Sequence, residues 1–341
     1  MPRARFNVVA LLLLALGACA SPPAPSPDAA STLVWPSAPA EARVAFVRAF
    51  ARPEDLGIGK GFFERVVEII FGQTQARLVR PMAVVDVGGV IYVADPGAKG
   101  VHRFDQPASR YALIRGEGGM LLPSPVGLAR GADDSVYVTD SALAAVFVIK
   151  PGVEFAARVP VAKELGQPTG IAFDPVTRQL YVVDTARHCV NVYAPDGSLR
   201  SSFGRRGTGD GEFNFPTLIW RNAAGHILLT DSLNFRTQIL DAQGRFLGKF
   251  GRLGDAAGDS PRQKGVATDR RGHVYLVDSL LHAVQIFDES GQFLLSIGGL
   301  GREPGDFWLP AGIFVGSDDL IYVADSYNQR VQVFRYVGGP T

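Results

Sequence analysis

Six stretches of the chain repeat one alternation of apolar and polar positions: YVADPGAKGVHRF, YVTDSALAAVFVI, YVVDTARHCVNVY, LLTDSLNFRTQIL, YLVDSLLHAVQIF and YVADSYNQRVQVF. In each, an apolar strand ends on an Asp, a short polar turn follows, and a second strand alternates away from it. The Asp falls at Asp95, Asp140, Asp184, Asp231, Asp278 and Asp325, a period of 44 to 47 residues. Ahead of these runs stand shorter apolar segments, MAVVDV, VGLARG, TGIAFD, TLIWRN, KGVATD and AGIFVG, most of them preceded by proline (Pro81, Pro125, Pro168, Pro216, Pro310). A proline there ends the incoming loop, and its missing N–H is no loss at a strand's first position. Gly127, Gly170, Gly265 and Gly312 recur two residues later, which suits strands converging on an axis where a side chain would collide. Turns such as Asp196-Gly197 and Ser290-Gly291 lead into a fourth strand. Four antiparallel strands per copy, in six copies with no helical period, predict an all-β, six-bladed β-propeller over residues 81–337.

The last copy ends at Tyr336-Val337 with three strands, which would leave an open edge. Residues 43–50, RVAFVRAF, alternate as a strand, with Val44, Phe46 and Phe50 on one face and Ala45, Val47 and Ala49 on the other. They are expected to close the ring as the missing fourth strand, so that the propeller spans 43–337 and 338–341 is a tail. Between them and the first copy, GFFERVVEIIFG places Phe62, Phe63, Val66, Val67, Ile70 and Phe71 at helical spacing, predicting a short amphipathic helix over 61–72.

Residues 1–18 read as a signal peptide: Arg3 and Arg5, then an apolar core from Val8 to Leu16 too short to span a bilayer. Leu16-Gly17-Ala18-Cys19 resembles the bacterial lipobox, so Cys19 is the expected lipidation site and the protein is expected on the bacterial cell envelope, lipid-anchored, with Ala20 favouring the outer membrane. Residues 19–42, with six prolines among Ala and Ser, read as a tether. Leu33, Val34 and Trp35 interrupt that composition, either docking on the domain or standing as a stray apolar patch.

A formal charge of +1 carries no nucleic-acid footprint. Cys189 is the second of two cysteines and has no partner once Cys19 is lipidated; no CxxC occurs, which removes dithiol and c-type haem chemistry.

The run LIYVADSYNQRVQVF at 320–334, Asn234 and Arg236 in the fourth copy, and the loops GTGDGEFNFP and GREPGDFWLP resemble the NHL repeat. That resemblance implies a six-bladed propeller and leaves function open, since the fold hosts enzymes, sensors and RNA-binding domains. The layout as a whole resembles NHL-type propeller lipoproteins of Gram-negative bacteria. A related amidating lyase places metal-binding His directly after the Pro of its inner strands; here those positions are Met82, Val126, Thr169, Thr217, Lys264 and Ala311. Lactonase-type propellers hold calcium with a Pro-Asn-Gly motif, against Pro168-Thr169-Gly170 here.

The repeated Asp is best read as a turn residue accepting backbone N–H groups. The five histidines are scattered, no nucleophile elbow or P-loop occurs, and neither metal nor cofactor is expected. What remains is a binding face at the mouth of the axial channel, with Trp308, Tyr327, Asn328, Gln329, Asn234, Phe235, Arg187, His188 and His282 as candidates, and Trp220 either plugging the channel or lining a pocket. Aromatic rings beside amides and a cation suit a protein, peptide or glycan. The expected role is a non-catalytic, monomeric binding or scaffold module; the alternative is a metal-dependent hydrolase or lyase with an unrecognised site.

Overall fold

A computed structural model describes residues 33–59 and 76–338. Two short strands at the start, β1 (Val34–Trp35) and β2 (Val44–Phe50), are followed by six antiparallel units. The first is β3 (Ala83–Val87), β4 (Val90–Asp95), β5 (Gly100–Asp105) and β6 (Arg110–Gly116). The second is β7 (Pro125–Arg130), β8 (Val136–Asp140), β9 (Ala145–Ile149) and β10 (Phe155–Arg158). The third is β11 (Pro168–Asp174), β12 (Gln179–Asp184), β13 (Cys189–Tyr193) and β14 (Leu199–Phe203), and the fourth is β15 (Pro216–Arg221), β16 (Ile227–Asp231), β17 (Arg236–Leu240) and β18 (Phe246–Phe250). The fifth is β19 (Gln263–Thr268), β20 (Val274–Asp278), β21 (Ala283–Phe287) and β22 (Phe293–Ile297), and the sixth is β23 (Ile313–Val315), β24 (Leu320–Asp325) and β25 (Arg330–Tyr336), completed by β2.

The first strands of the units stand side by side in the order β3, β7, β11, β15, β19, β23, and β23 returns to β3. Four glycines make this convergence possible. A Cβ on Gly127 would lie 2.1 Å from the Thr169 carbonyl oxygen, and one on Gly312 would lie 2.5 Å from that of Met82; Gly170 and Gly265 meet their neighbouring sheets at 2.7 and 2.8 Å. No side chain fits there without moving backbone.

The core is correspondingly divided into six wedges, one per interface between neighbouring units. Val101, Ile114, Val136 and Phe147 fill the first, Val146, Ile171 and Val182 the second, and Tyr181, Val190, Ile219 and Leu229 the third. Leu228, Phe250, Leu276 and Phe287 fill the fourth, Tyr275, Val284, Val323 and Phe334 the fifth, and Phe50, Val331, Ile91 and Phe104 the last. Both faces of most strands are therefore buried, and they read as nearly continuous apolar runs.

The ring closes through β2, which pairs antiparallel with β25 from Val44↔Tyr336 to Phe50↔Val331. The expected facing of this strand needs one correction. A bulge at Val47 shifts the register between Phe46 and Arg48, so Val44 and Phe46 face the wedge toward the fifth unit, whereas Phe50 faces the first unit and meets Phe104 edge-on at 5.4 Å. One extra residue exchanges the two faces. Residues 33–42, expected in the tether, belong with the domain: β1 pairs with β2, and the Trp35 ring sits edge-on to Phe334 at 5.7 Å. At the other end, Val337 and Gly338 still donate to the Arg43 carbonyl.

The first and second units share a sheet, because β10 leaves β9 to run parallel to β6 at Phe155↔Arg115 and Ala156↔Gly116. Glu154, just before β10, ties this crossing to the first unit: its carboxylate lies 3.1 Å from Arg103 and 2.9 Å from Arg110. The predicted helix over 61–72, the leader and Cys19 lie outside the described residues.

Candidate functional site: the mouth of the axial channel

All six repeated Asp side chains are fully buried, and each ties the turn or loops around it with hydrogen bonds. Asp95 accepts from the backbone N–H of Val79, Arg80 and Ala98, and Asp140 from Ser124, Ala142 and Leu143. Asp278 accepts from Arg262, Leu280 and Leu281, besides the Ser260 hydroxyl at 2.5 Å. One carboxylate thus staples the loop arriving from the previous sheet to the turn of its own. For Asp95 and Asp184, burial pushes the carboxyl pKa up, but the bonds received, together with His102 or Arg187, more than offset it and hold the group below the ordinary carboxylate range. These are structural groups with no free oxygen to offer a substrate.

Several of the expected face residues also make bonds within the frame. Asn234 donates to the Gly207 carbonyl and Asp231, and Asn328 to the Gly301 carbonyl and Asp325. Arg187 bridges Asp184 at 2.9 Å and the Glu164 carbonyl at 2.8 Å. His188 and His282 stand at equivalent places with left-handed backbone, as do Phe235 and Gln329. The two His Nδ1 atoms accept the backbone N–H of Phe215 and Leu309, respectively, each at 3.0 Å. They fasten one sheet's turn to the next sheet's entry. Asn234, Asn328 and Arg187 thus hold the frame around the mouth, and the Nδ1 atoms of both histidines are likewise engaged.

Trp308, Tyr327, Gln329 and Phe235 remain at the surface of this end. Trp308 is half-buried, 5.8 Å from the Tyr327 ring, with the Arg302 guanidinium over its other neighbourhood at 5.1 Å, while Tyr327 is 54% exposed. Trp220 is elsewhere. It lines a separate chamber of about 190 Å³ formed by the middle and far ends of the inner strands, with Phe173, Ile219 and Phe314. Its Nε1 donates to Thr268 at 2.9 Å, and Arg221 of the same chamber pairs with Asp174 at 3.1 Å.

The mouth itself holds an open cavity of about 460 Å³. It is lined by residues immediately before and after the opening of the inner strands: Arg80 and Met82, Ser124 and Val126, Arg262 and Lys264, Leu309 and Ala311. Tyr327 reaches its edge. Sequence reasoning lists Lys264 only as a place where a metal-binding His is absent, and passes over Arg80 and Arg262. Aligning the six copies on their opening position shows that cations gather in copies one and five.

A ring of hydroxyls that the sequence reading also missed lies beneath. The residue after the repeated Asp reaches the next sheet: Ser141 donates to the Pro168 carbonyl at 2.5 Å and Thr185 to that of Pro216 at 2.7 Å. Thr169 meets Thr185 and the Thr217 carbonyl, both at 2.7 Å. Among the described residues no three His, Cys, Asp or Glu side chains cluster as a metal site would require. Cys189 is free and buried, its thiol pKa pushed up by burial.

An NHL repeat model matches residues 165–193 and 307–334. No curated protein matches the chain in sequence. Solved structures do match in fold. A streptogramin B lyase aligns with a TM-score of 0.56 at 12% identity, covering 76% of this chain and 94% of that one. An auxiliary nutrient binding protein from Bacteroides thetaiotaomicron aligns at 0.61 and 10% identity, covering 77% and 71%. A chain of a nidogen/laminin complex aligns at 0.54 and 17% identity, covering 73% and 87%. These identities speak for architecture alone. The matched repeats at 165–193 and 307–334, together with the solved structures it resembles, make the fold of this chain that of a β-propeller, with NHL repeats at those two places.

Proposed function

We propose that this protein is a non-catalytic binding propeller, held on the bacterial envelope through a lipidated Cys19, that engages a protein, peptide or glycan at the mouth of its channel. The carrying observation is the mouth cavity of about 460 Å³, lined from four units and edged by the exposed Tyr327, whose ring lies 5.8 Å from the half-buried Trp308. Its size lies in the range of ligand sites. The buried carboxylates behind it, Asp95 and Asp278, are engaged in holding turns, as a binding frame requires, rather than paired as acid and base. The nutrient-binding neighbour is consistent with this reading; the lyase neighbours share the fold at an identity too low to transfer chemistry.

The test places a photo-crosslinking side chain at Tyr327 or, on the opposite end, at Val176, in cells expressing the full chain. A discrete adduct from position 327, lost when Trp308→Ala and Gln329→Ala are added, supports the reading. Equal adducts from both positions, or none from 327, overturn it. Cys19→Ser is expected to move the protein from the membrane to the soluble envelope fraction, and unchanged membrane retention removes the anchor.

A further inference from the structure

Resting on that reading of the mouth, we propose that the pocket is an oxyanion site: it takes the carboxylate or phosphate group of its ligand between Arg80, Arg262 and Lys264. Several arginines elsewhere in the molecule meet carboxylates: Arg103 with Glu154, Arg221 with Asp174, Arg236 with Asp231, Arg252 with Asp259, Arg271 with Asp319. At the mouth three cations line one cavity whose lining includes no Asp or Glu. The closest carboxylates of the frame, Asp95 and Asp278, are fully buried and taken up by the backbone N–H groups of Arg80 and Arg262 themselves, at 3.0 and 2.9 Å, and by their own turns. Among the described residues, the three cationic heads form no ion pair or hydrogen bond with a protein acceptor.

Such a cluster is unfavourable in the empty state. Like charges repel in a partly desolvated pocket, and Lys264 shows it: burial first, then the Arg262 charge, lower its pKa. In a chain with a formal charge of +1, three cations gathered on one cavity with no carboxylate in its lining are a local concentration of charge, and concentrations of that kind mark function. An oxyanion removes the repulsion and accepts charge-assisted hydrogen bonds from two guanidinium groups and an ammonium. Ser124 adds a neutral donor beside them, and Met82, Val126, Leu309 and Pro310 give the rest of the cavity an apolar wall. The fitting ligand has an anionic end and a compact, less polar body.

The full chain is titrated calorimetrically with sodium phosphate and with citrate at constant ionic strength. Saturable one-site binding is expected, weakened about tenfold or more by Lys264→Met and by Arg262→Gln, since each removes a charge-assisted contact. Lys264→Arg keeps the charge and should restore binding to within roughly threefold of the parent. Arg270→Gln, altering an arginine paired with Asp319 away from the mouth, serves as the control and should leave binding unchanged. No saturable binding, or equal loss in the Arg270 and Lys264 variants, overturns the proposal. A short acidic peptide with free carboxylates, compared with its amidated form, separates the sources: tighter binding than citrate by the free form assigns the anion to a chain, and weaker binding assigns it to a small solute. If anion binding fails while the position-327 adduct persists, the charge assignment falls and the binding reading stands; the reverse outcome removes the partner and keeps the anion.

Discussion

The turns of the fourth and sixth units differ from the other four in how they hold their aspartate, and the difference separates frame from freedom. In the fourth unit Asp231 receives Asn234, the Arg236 Nε at 2.8 Å and Gln238 at 3.2 Å. In the sixth, Asp325 receives Asn328, the Arg330 Nε at 2.8 Å and Gln332 at 3.1 Å. These side chains also collect the carbonyls of the long loops arriving from the previous sheet: Gly209 and Glu212 through Arg236, and Arg302, Glu303 and Asp306 through Arg330. The other Asp side chains rely mainly on backbone N–H groups. The Asn-x-Arg-x-Gln lettering therefore belongs with the loops GTGDGEFNFP and GREPGDFWLP, whose carbonyls these side chains satisfy. The third unit supplies an arginine from a different place, Arg187, two residues before the position of Arg236. Where the lettering relaxes, the turn positions are released to carry His, Lys or Leu.

The sharpest test of this contrast compares Asp325→Ala with Asp140→Ala. Removing the Asp325 carboxylate leaves the buried Gln332 and the partly buried Arg330 and Asn328 short of their acceptor, and a loss of about 3–5 kcal/mol is expected. Removing Asp140 unpairs three backbone N–H groups that water can partly reach, for a loss of roughly 1–3 kcal/mol. Urea unfolding of both variants decides it; equal losses would dissolve the distinction between caged and open turns.

Much of this frame was legible in the chain. The period placed the strands, the Asp at +0 and the Gly after the opening Pro announced a tight turn and a close approach, and the missing strand of the last copy pointed to residues 43–50. What stayed hidden depended on single insertions and on partners far along the chain. The Val47 bulge exchanges the faces of Phe50 and Phe46 without altering the apolar alternation that predicted them. Docking of Trp35 needs the Phe334 ring, 299 positions away in sequence but 5.7 Å in space. Asn234 and Asn328 looked like ligand contacts because polar turn residues of either role share one composition; only the Gly207 and Gly301 carbonyls show that their amides are taken. The mouth cations went unread because the residues flanking the opening Pro are the part of the repeat that each copy writes differently.

The caged turns should also be intolerant of a change that keeps charge. Arg236→Lys retains a cation beside Asp231 but cannot reach the carboxylate and two loop carbonyls from one planar group, so a loss of about 1–3 kcal/mol is expected. The same substitution on the exposed Arg245, paired only with Asp241 on the surface, should change stability by less than about 1 kcal/mol. In the open turns the corresponding device is the hydroxyl bridge to the next sheet. Thr185→Val removes the bond to the Pro216 carbonyl and the contact with Thr169, and about 1–2 kcal/mol should be lost. Thermal unfolding measured alongside Arg236→Lys ranks the two devices.

The smallest effect is one of slope rather than stability, and it carries opposite signs at Asp184 and Asp325. Asp184 of an open turn has its carboxyl pKa below the ordinary range in the folded chain, as burial is outweighed by Gly166, Arg187 and Gln167. For Asp325 of a caged turn, burial wins over the bonds from Trp308, Asn328 and Arg330, and the pKa lies above that range. Taking an unfolded carboxyl near about 3.9, Asp184 binds fewer protons when folded, so its contribution is present above that pH and fades as the pH falls through and below it. Asp325 binds more protons when folded, so its ionisation works against folding above its folded pKa, and acidification relieves the burden. Stability measured between pH 3 and 6 should therefore rise less steeply with pH in Asp184→Asn than in the parent, and more steeply in Asp325→Asn, whatever the absolute losses. Slopes that shift in the same direction would mean that the two carboxylates are held alike, and that the cage adds contacts without changing the electrostatic environment of the charge it encloses.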